Sequence, residues 1–205
     1  MAKRRSTVQV RQLQSGEIRE VYERYIQEAF PPAERKPFWK IQDAIRQGRY
    51  ICYGLFEQET LLSYAFFMKE KGDGGGLLLD YFASLPQYRN QGYGSIFLQK
   101  LNEVCEGKTV FAEVEAPEDA RASERELCKR RIAFYQRNGF IDTTIYCKFY
   151  KIQYKILLKA SEVISVPSIG ELICFYERIY HRKFPRNKLR FWKQRKRRMS
   201  RFKNV

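Results

Sequence analysis

Apolar side chains recur along this chain with two different spacings, and the alternation between them predicts a mixed fold of helices and strands. From Ser15 to Ala29 they fall three or four residues apart, the spacing of a helix with one buried face, and a proline pair then ends the pattern. A second, shorter helix is predicted from about Pro37 to Gln47, because its apolar residues also share one face.

Strand patterns account for most of the remaining apolar residues. The run Leu77–Ser84 is apolar enough to be covered on both faces, and a glycine-rich break precedes it. Helices are predicted over about Gly94–Cys105 and Glu124–Arg137, and a capping box at Ser168 opens an amphipathic helix near the C-terminus. The predicted strands are Thr7–Leu13, Tyr50–Glu57, Leu61–Lys69, Leu77–Ser84, Thr109–Glu115, Phe140–Phe149 and Lys151–Leu158.

Length and composition narrow the class of protein. The 205 residues, 44% of them hydrophobic, fit one packed domain with an appendage, and no apolar run is long enough to span a membrane. The basic N-terminus leads into polar residues, so no signal peptide is expected and a cytoplasmic protein is predicted. Five scattered cysteines and the single His181 argue against disulfides, metal sites and histidine-dependent nucleophiles.

The net charge of +16 is concentrated at the two ends of the chain. Residues 181–205 contain twelve lysines and arginines and no acidic residue, and residues 3–5 add three more basic side chains. The intervening part is close to neutral, which indicates a globular domain with a basic tail rather than a basic domain.

A glycine turn, Arg89–Ser95, separates a predicted strand from the helix that follows it. Backbone N–H groups at such a helix N-terminus favour an anion, and the glycines allow close approach, so phosphate binding is predicted. A dinucleotide fingerprint would need a third glycine where Phe97 stands. A Walker loop is excluded as well, because Asn102 occupies the position of its first glycine.

Two motifs around this turn resemble the signatures of the GNAT superfamily of acetyl-CoA-dependent N-acetyltransferases. Residues 81–94 give a strand, then Pro-x-Tyr-Arg, then the glycine turn; residues 132–140 give a helix ending in Tyr-x-x-x-Gly-Phe. The resemblance covers about residues 7–158. It implies a single α/β (α+β) domain, residues 1–160, with a mixed, mostly antiparallel sheet of six or seven strands flanked by helices. Residues 161–205 then form a C-terminal helix and basic extension.

The resemblance also implies that acetyl-CoA is the co-substrate and assigns it to two neighbouring stretches. Backbone groups at Phe82, Ala83 and Ser84 would pair with the pantetheine arm like an added strand, and a backbone N–H there would polarise the thioester carbonyl. Cys128 departs from the family pattern, since many relatives carry a cofactor-contacting asparagine there. The pyrophosphate would lie on the amides of the turn, and the matching residues are Arg89, Asn90, Gln91, Gly92, Tyr93, Gly94 and Ser95.

Two side chains match residues that carry proton transfers in the family. Tyr135 matches the usual general acid, which protonates the leaving thiolate, although an aromatic core residue on a helix would show the same pattern. Glu113 matches a strand glutamate that some relatives use as general base, directly or through water. Glu115 shares its face by strand alternation and could serve instead. Lys129, Arg130 and Arg131 could reach coenzyme phosphates or form a solvated helix face.

The resemblance leaves the acceptor open. It places the acceptor pocket at the loop between the first two helices, Phe30–Trp39, and at Tyr146, Phe149 and Tyr150 in the last strands. One hypothesis is an N-acetyltransferase that acts on a small amine, a peptide or a protein by direct attack in a ternary complex. The other is an RNA-associated protein, either a toxin-like acetylase of aminoacyl-tRNA or a non-catalytic binding module. The basic tail, residues 181–205, could be solvated, contact RNA or dock on anionic lipid. Nothing in the sequence indicates the oligomeric state.

Overall fold

Eight strands form one sheet in the computed structural model, which describes residues 7–69, 75–105, 107–149, 151–160 and 165–193. The strand order is β1-β2-β3-β4-β5-β7-β6-β8, and every neighbouring pair is antiparallel except β4 and β5. The strands are β1 Val8–Gln12, β2 Tyr50–Glu57, β3 Thr60–Lys69, β4 Leu77–Ser84, β5 Val110–Glu115, β6 Ile141–Phe149, β7 Ile152–Lys159 and β8 Leu189–Lys193.

Within the described ranges, five helices longer than one turn cover the two faces of this sheet. The first, α1, spans residues 15–29 and contains a π-helical stretch, Val21–Ile26. The others are α2 Phe38–Arg46, α3 Tyr93–Val104, α4 Arg125–Arg137 and α5 Ile169–Tyr180. Apolar residues of α1, α2 and α5 join one hydrophobic cluster, and those of α3 and α4 join a second cluster on the opposite face. No helix of the described residues is long and apolar enough to cross a membrane.

The mixed, mostly antiparallel sheet agrees with the predicted fold class, but it has one strand more than expected. That strand is β8, which lies within the predicted basic extension and pairs with β6 from Ile145↔Lys193 to Phe149↔Leu189. Leu189 and Phe191 are buried in the same cluster as α5, so burial of these alternate apolar side chains holds the segment on the sheet. The rest of the predicted tail, residues 194–205, and Tyr150 lie outside the described residues.

The sheet opens between β4 and β5. These two strands pair only from Leu77↔Val110 to Leu79↔Ala112, although both continue beyond that point. Asp80 is an extra residue in β4, because Phe66 of β3 pairs with Tyr81 while Phe67 pairs with Leu79. Such a bulge bends its strand and increases the local twist. The bulge therefore directs the end of β4 away from β5 and leaves the facing edge of β4 without a strand partner.

Candidate functional site

A groove of about 450 Å³ opens where β4 ends and α3 begins. Nine of the predicted site residues line this groove, and they come from three separate parts of the sequence. The predicted Ala83, Gln91 and Glu113 are outside its lining; the Gln91 side chain donates to the Gln87 carbonyl instead. The lining residues are Phe82, Ser84, Tyr88, Arg89, Asn90, Gly92, Tyr93, Gly94, Ser95, Arg131, Phe134 and Tyr135.

The glycine turn presents its amides to this groove. Asn90 and Gly92 adopt left-handed conformations, with φ values of 61° and 87°, which glycine and asparagine tolerate best. Gly92 is the N-cap of α3 and has no side chain with which to make a capping hydrogen bond. The first N–H groups of a twelve-residue helix are thus available to an anion.

Gly94 keeps the groove open at this point. A Cβ atom placed on Gly94 would lie 3.3 Å from the Phe134 ring and 3.5 Å from the Ser84 hydroxyl, both of which line the groove. Any side chain here would occupy space next to the helix amides. The turn therefore fits a phosphate group that approaches the backbone directly, as the pyrophosphate of a coenzyme does.

The wall of the groove is formed by alternate residues of β4. Phe82 and Ser84 point into it, whereas Ala83 packs against the cluster on the other face of the sheet. The Phe82 ring lies 6.2 Å from Phe134 and 6.4 Å from Tyr135, so aromatic contacts fix this wall. An extended acyl-thiol arm can pair with the open backbone edge of β4 while its methylene groups contact these rings.

The Tyr135 side chain extends from α4 toward the end of β4, where its ring contacts Phe82. Its ring packs at 5.0 Å from Phe140 and 5.6 Å from Phe134. Burial raises the pKa of the Tyr135 phenol, with a smaller opposite effect of the nearby Arg131 charge. The hydroxyl therefore carries its proton throughout the neutral range, and it makes no hydrogen bond to any residue that the structure describes. A protonated phenol at a groove wall is chemically suited to donate a proton.

Glu113 lies on β5 just beyond the last residue pair with β4, on the sheet face that carries α5. Its Oε1 atom accepts a hydrogen bond from the Tyr176 hydroxyl at 2.7 Å. Burial raises the pKa of Glu113, against the lowering effect of the Tyr176 bond. A carboxylate whose pKa moves toward neutrality is a better general base than an exposed one.

Glu115 has different surroundings, although strand alternation places it on the same face as Glu113. Its Oε2 atom lies 3.9 Å from the Cys128 thiol of α4, at the position where the family pattern has asparagine. Its charge also contributes to raising the pKa of Glu34, for which burial is the larger cause. The two glutamates therefore meet different partners, and Glu113 is the one held by α5.

The predicted acceptor loop between α1 and α2 is fixed to the bulged part of β4. The Tyr81 hydroxyl accepts from the Lys36 backbone N–H at 2.7 Å and donates to the Glu34 carbonyl at 3.1 Å. Asp80 accepts hydrogen bonds from the Lys36 ammonium and from Tyr50. The loop is thus anchored to the bulged part of β4, on the sheet face opposite the groove.

The other acceptor-side residues from the sequence are more dispersed. Phe149 packs with Tyr180 at 5.3 Å on the α5 side. Tyr146 instead points to the opposite face, where its ring stacks on Trp192 and its hydroxyl lies 3.4 Å from Glu118. Trp39 is 63% exposed.

Several residues at the site were not selected from the sequence. The sequence allows Arg131 either a solvated helix face or a phosphate contact, and in the structure Arg131 lines the groove. Asp80 had a signal, because a lone carboxylate inside an apolar strand must find a buried partner. No sequence pattern beyond helical spacing indicates Tyr176, because its hydrogen-bond partner, Glu113, is 63 residues away in the sequence.

Comparison with known proteins agrees with these features. A sequence profile of the acetyltransferase (GNAT) family matches residues 18–140, which include the groove and both candidate proton-transfer residues. No curated protein gives a significant match.

Solved structures resemble most of the chain. A protein from Bacteroides thetaiotaomicron assigned to the GNAT family superposes with a TM-score of 0.63 at 22% identity, covering 82% of this chain and 95% of that one. The ribosomal-protein-S18-alanine N-acetyltransferase of Escherichia coli gives 0.54 at 21%, covering 78% and 97%. A Bacillus subtilis acetyltransferase in complex with CoA gives 0.55 at 12%, covering 76% and 100%.

At these identities the structural likeness shows the fold, whereas the profile match extends over more than half of the chain and shows the family. The chain belongs to the GNAT family of acetyltransferases, enzymes that take their acetyl group from acetyl-CoA.

Proposed function

We propose that this acetyltransferase transfers the acetyl group to a primary amine by direct attack within a ternary complex. The observation that carries the proposal is the meeting of three features at one opening of the sheet. The amides of the α3 N-terminus, the open edge of β4 and the Tyr135 phenol all adjoin a single groove. In this proposal the turn residues hold the coenzyme pyrophosphate, and backbone at residues 82–84 holds its pantetheine arm.

Glu113 is proposed as the general base. An alkyl amine has a pKa of about 10 and is mostly protonated at neutral pH, so it attacks only after losing a proton. The Glu113 carboxylate takes that proton directly or through a water molecule, from the side of the sheet opposite the groove. Coenzyme A supplies a thioester, which is an activated acyl group. A β4 backbone N–H stabilises the negative charge on its carbonyl oxygen while the C–N bond forms.

Tyr135 is proposed as the general acid. As the C–S bond breaks, its phenol donates a proton to the leaving sulfur. The raised pKa of Tyr135 keeps this proton available at the pH of the assay. After the C–N bond forms, the nitrogen still carries one proton more than an amide, and it loses that proton to solvent. The phenolate that remains is protonated again from solvent through the open groove.

The test is a screen for coenzyme A release from acetyl-CoA with three acceptors: spermidine, an alanine-initiated peptide and a charged tRNA. The Tyr135→Phe variant should lower kcat for the best acceptor by about 10²–10⁴-fold and leave coenzyme binding nearly unchanged. Tyr88→Phe is the matched control, because Tyr88 also lines the groove but lies on the turn before α3. Equal turnover by wild type and Tyr135→Phe at saturating coenzyme would remove Tyr135 from the mechanism.

A second candidate function is attachment to RNA through the C-terminal segment. Strand β8 places Arg190 and Trp192 on the same sheet face as Lys148 and Tyr146, the residues they pair with. Arg190 and Lys148 are exposed, and the Trp192 ring stacks on Tyr146 with centroids 5.9 Å apart. Exposed cations beside a supported aromatic ring suit phosphates and an unpaired base.

This attachment is tested by titrating labelled tRNA at two salt concentrations. We expect affinity to fall at least about tenfold between 50 and 200 mM salt, because several phosphate contacts release counterions. Trp192→Ala should weaken binding about tenfold further, whereas Trp39→Ala, an exposed tryptophan on α2, should not. Binding that ignores salt would refute RNA attachment, and equal affinity for anionic lipid vesicles would assign the segment to a membrane surface instead.

A further inference from the structure

A hydrogen bond links the candidate base to α5, a helix outside the part of the chain that the family profile matches. The Tyr176 hydroxyl donates to Glu113 Oε1 at 2.7 Å, whereas the profile ends at residue 140. We propose that Tyr176 is a positioning residue, which holds Oε1 so that Oε2 is the oxygen that receives the proton of the acceptor amine. This inference rests on the proposed role of Glu113 as general base.

The two oxygens of Glu113 have unequal surroundings. The Cys147 thiol of β6, at 3.8 Å, is a second and weaker donor, and it also points to Oε1. No residue of the described ranges donates to Oε2. Because Oε1 is occupied by two donors, the basic electron pair that remains for catalysis lies on Oε2.

Tyr176 is itself rigidly placed. It is fully buried, and its ring packs edge-on against Phe191 of β8 at 5.0 Å and stacks with Tyr180 at 6.3 Å. Helix α5 begins with the Ser168 capping box, in which the Ser168 side chain accepts from the Glu171 N–H. Burial raises the pKa of the Tyr176 phenol well above its ordinary value, so the hydroxyl remains a donor wherever the enzyme is assayed.

The bond acts against the effect of burial. Burial raises the pKa of Glu113, while the Tyr176 hydrogen bond and the Lys36 charge lower it, so loss of the hydroxyl must move this pKa upward. Removing the Tyr176 hydroxyl also removes its hydrogen-bond effect on Cys147, but burial holds the pKa of that thiol well above its ordinary value, so Cys147 stays uncharged. Among the described residues, the charged or titratable groups that act on Glu113, or on which its charge acts, include Lys36, Asp80, Cys147, Tyr154, Tyr176 and Tyr180.

The experiment titrates Glu113 directly, by carbon NMR of the full chain labelled at the glutamate carboxyl carbon. The resonance missing in Glu113→Gln identifies the group. Tyr176→Phe keeps the ring and removes the donor, and we expect the Glu113 titration to move up by about one pH unit. The acid limb of kcat/KM, measured with the best amine of the acceptor screen, should move by the same amount. Tyr180→Phe is the matched control, because this α5 tyrosine makes no hydrogen bond to Glu113. The Glu113 titration in Tyr180→Phe should coincide with that of wild type.

The outcomes separate this inference from the proposed function. An unmoved titration in Tyr176→Phe, together with a lost acid limb in Glu113→Gln, overturns the role of Tyr176 and keeps Glu113 as base. An acid limb that persists in Glu113→Gln overturns both. Should Tyr176→Phe fail to fold, 3-fluorotyrosine at position 176 provides a stronger donor of nearly the same shape. The titration should then move to lower pH, and an unchanged value refutes the inference.

Discussion

Gly94→Ala separates coenzyme binding from fold stability, because the two should change in opposite directions. Gly94 is the second residue of α3, and it lies in the groove wall beside the helix amides. Alanine is a better helix former than glycine by up to about 1 kcal/mol, so helix propensity alone favours the variant. The new methyl group, however, would stand 3.3 Å from Phe134 and within the space that a phosphate needs.

The loss of affinity follows from the number of amide contacts that the methyl group displaces. A hydrogen bond from a backbone N–H to a charged oxygen contributes about 1.5–3 kcal/mol. Losing one such contact weakens binding roughly 10–100-fold. The contact with Phe134 needs a shift of only a few tenths of an ångström, so the fold should absorb it.

Calorimetric titration with coenzyme A, combined with urea unfolding, measures both quantities. We expect Gly94→Ala to bind at least about tenfold more weakly while its free energy of unfolding stays equal to or above that of wild type. Gly16→Ala is the control, because Gly16 is also an early helix residue and has no atom within 4 Å of the added carbon. Wild-type affinity in Gly94→Ala would refute the assignment of the turn to the coenzyme.

Three further outcomes are expected. Burial raises the pKa of Glu113, and a general base acts only when deprotonated. For wild type, kcat/KM should therefore fall as the pH drops through a value above the ordinary pKa of a glutamate. Glu113→Gln should be slower by about 10²–10⁴-fold and should not show this fall at acid pH. The hydrogen bond from Arg11 holds the pKa of Glu17 below its ordinary value. Their bond therefore stabilises the fold at pH values above the unfolded-state pKa of Glu17, and this stabilisation is lost as the pH falls through the folded-state pKa. The free energies of unfolding of wild type and Glu17→Gln in urea should converge at acid pH, and a constant difference would contradict this. Ser168→Ala removes the α5 cap and should cost about 0.5–2 kcal/mol in urea unfolding, while Ser165→Ala, outside the helix, should cost little.

The sequence was most informative where one local pattern determines one element. The predicted strand Leu77–Ser84 has the same bounds in the structure, because a largely apolar run between a glycine-rich break and Pro86 allows few other conformations. The Ser168 capping box forms as predicted. Helix ends differed by one or two residues, as at α3, which starts at Tyr93.

The opening of the sheet could not be derived in the same way. It depends on the register between β3 and β4, where Asp80 is the unpaired extra residue, and register is a property of two strands rather than one. The same holds for the strand order, in which β7 lies between β5 and β6. The resemblance to a known family implied a mostly antiparallel sheet and backbone groups at residues 82–84 that are open to the pantetheine arm. It gave no strand order, and hydrophobic periodicity predicted only the elements.

Strand β8 shows how charge can obscure a pattern. Leu189, Phe191 and Lys193 alternate with Arg190 and Trp192, so a period of two was present within the basic segment. Counting charges over the whole segment indicated a tail, because twelve basic residues in 181–205 dominate its average. Burial of Leu189 and Phe191 stabilises this segment as a strand of the sheet. The neighbouring cations stay in contact with water, so they do not prevent the strand from forming.

The C-terminal segment matters for the chemistry as well as for the fold. Phe175 of α5 packs at 4.6 Å from Phe111, two residues before Glu113 on the same face of β5, and Tyr176 of the next position bonds Glu113 itself. The same helix therefore covers the candidate base in part and compensates that burial with a directed hydrogen bond. Desolvation alone would favour the protonated carboxylic acid, and a fully hydrated carboxylate would be too weak a base. A covered glutamate with a single strong donor lies between these limits, as proton transfer from an amine near neutral pH requires.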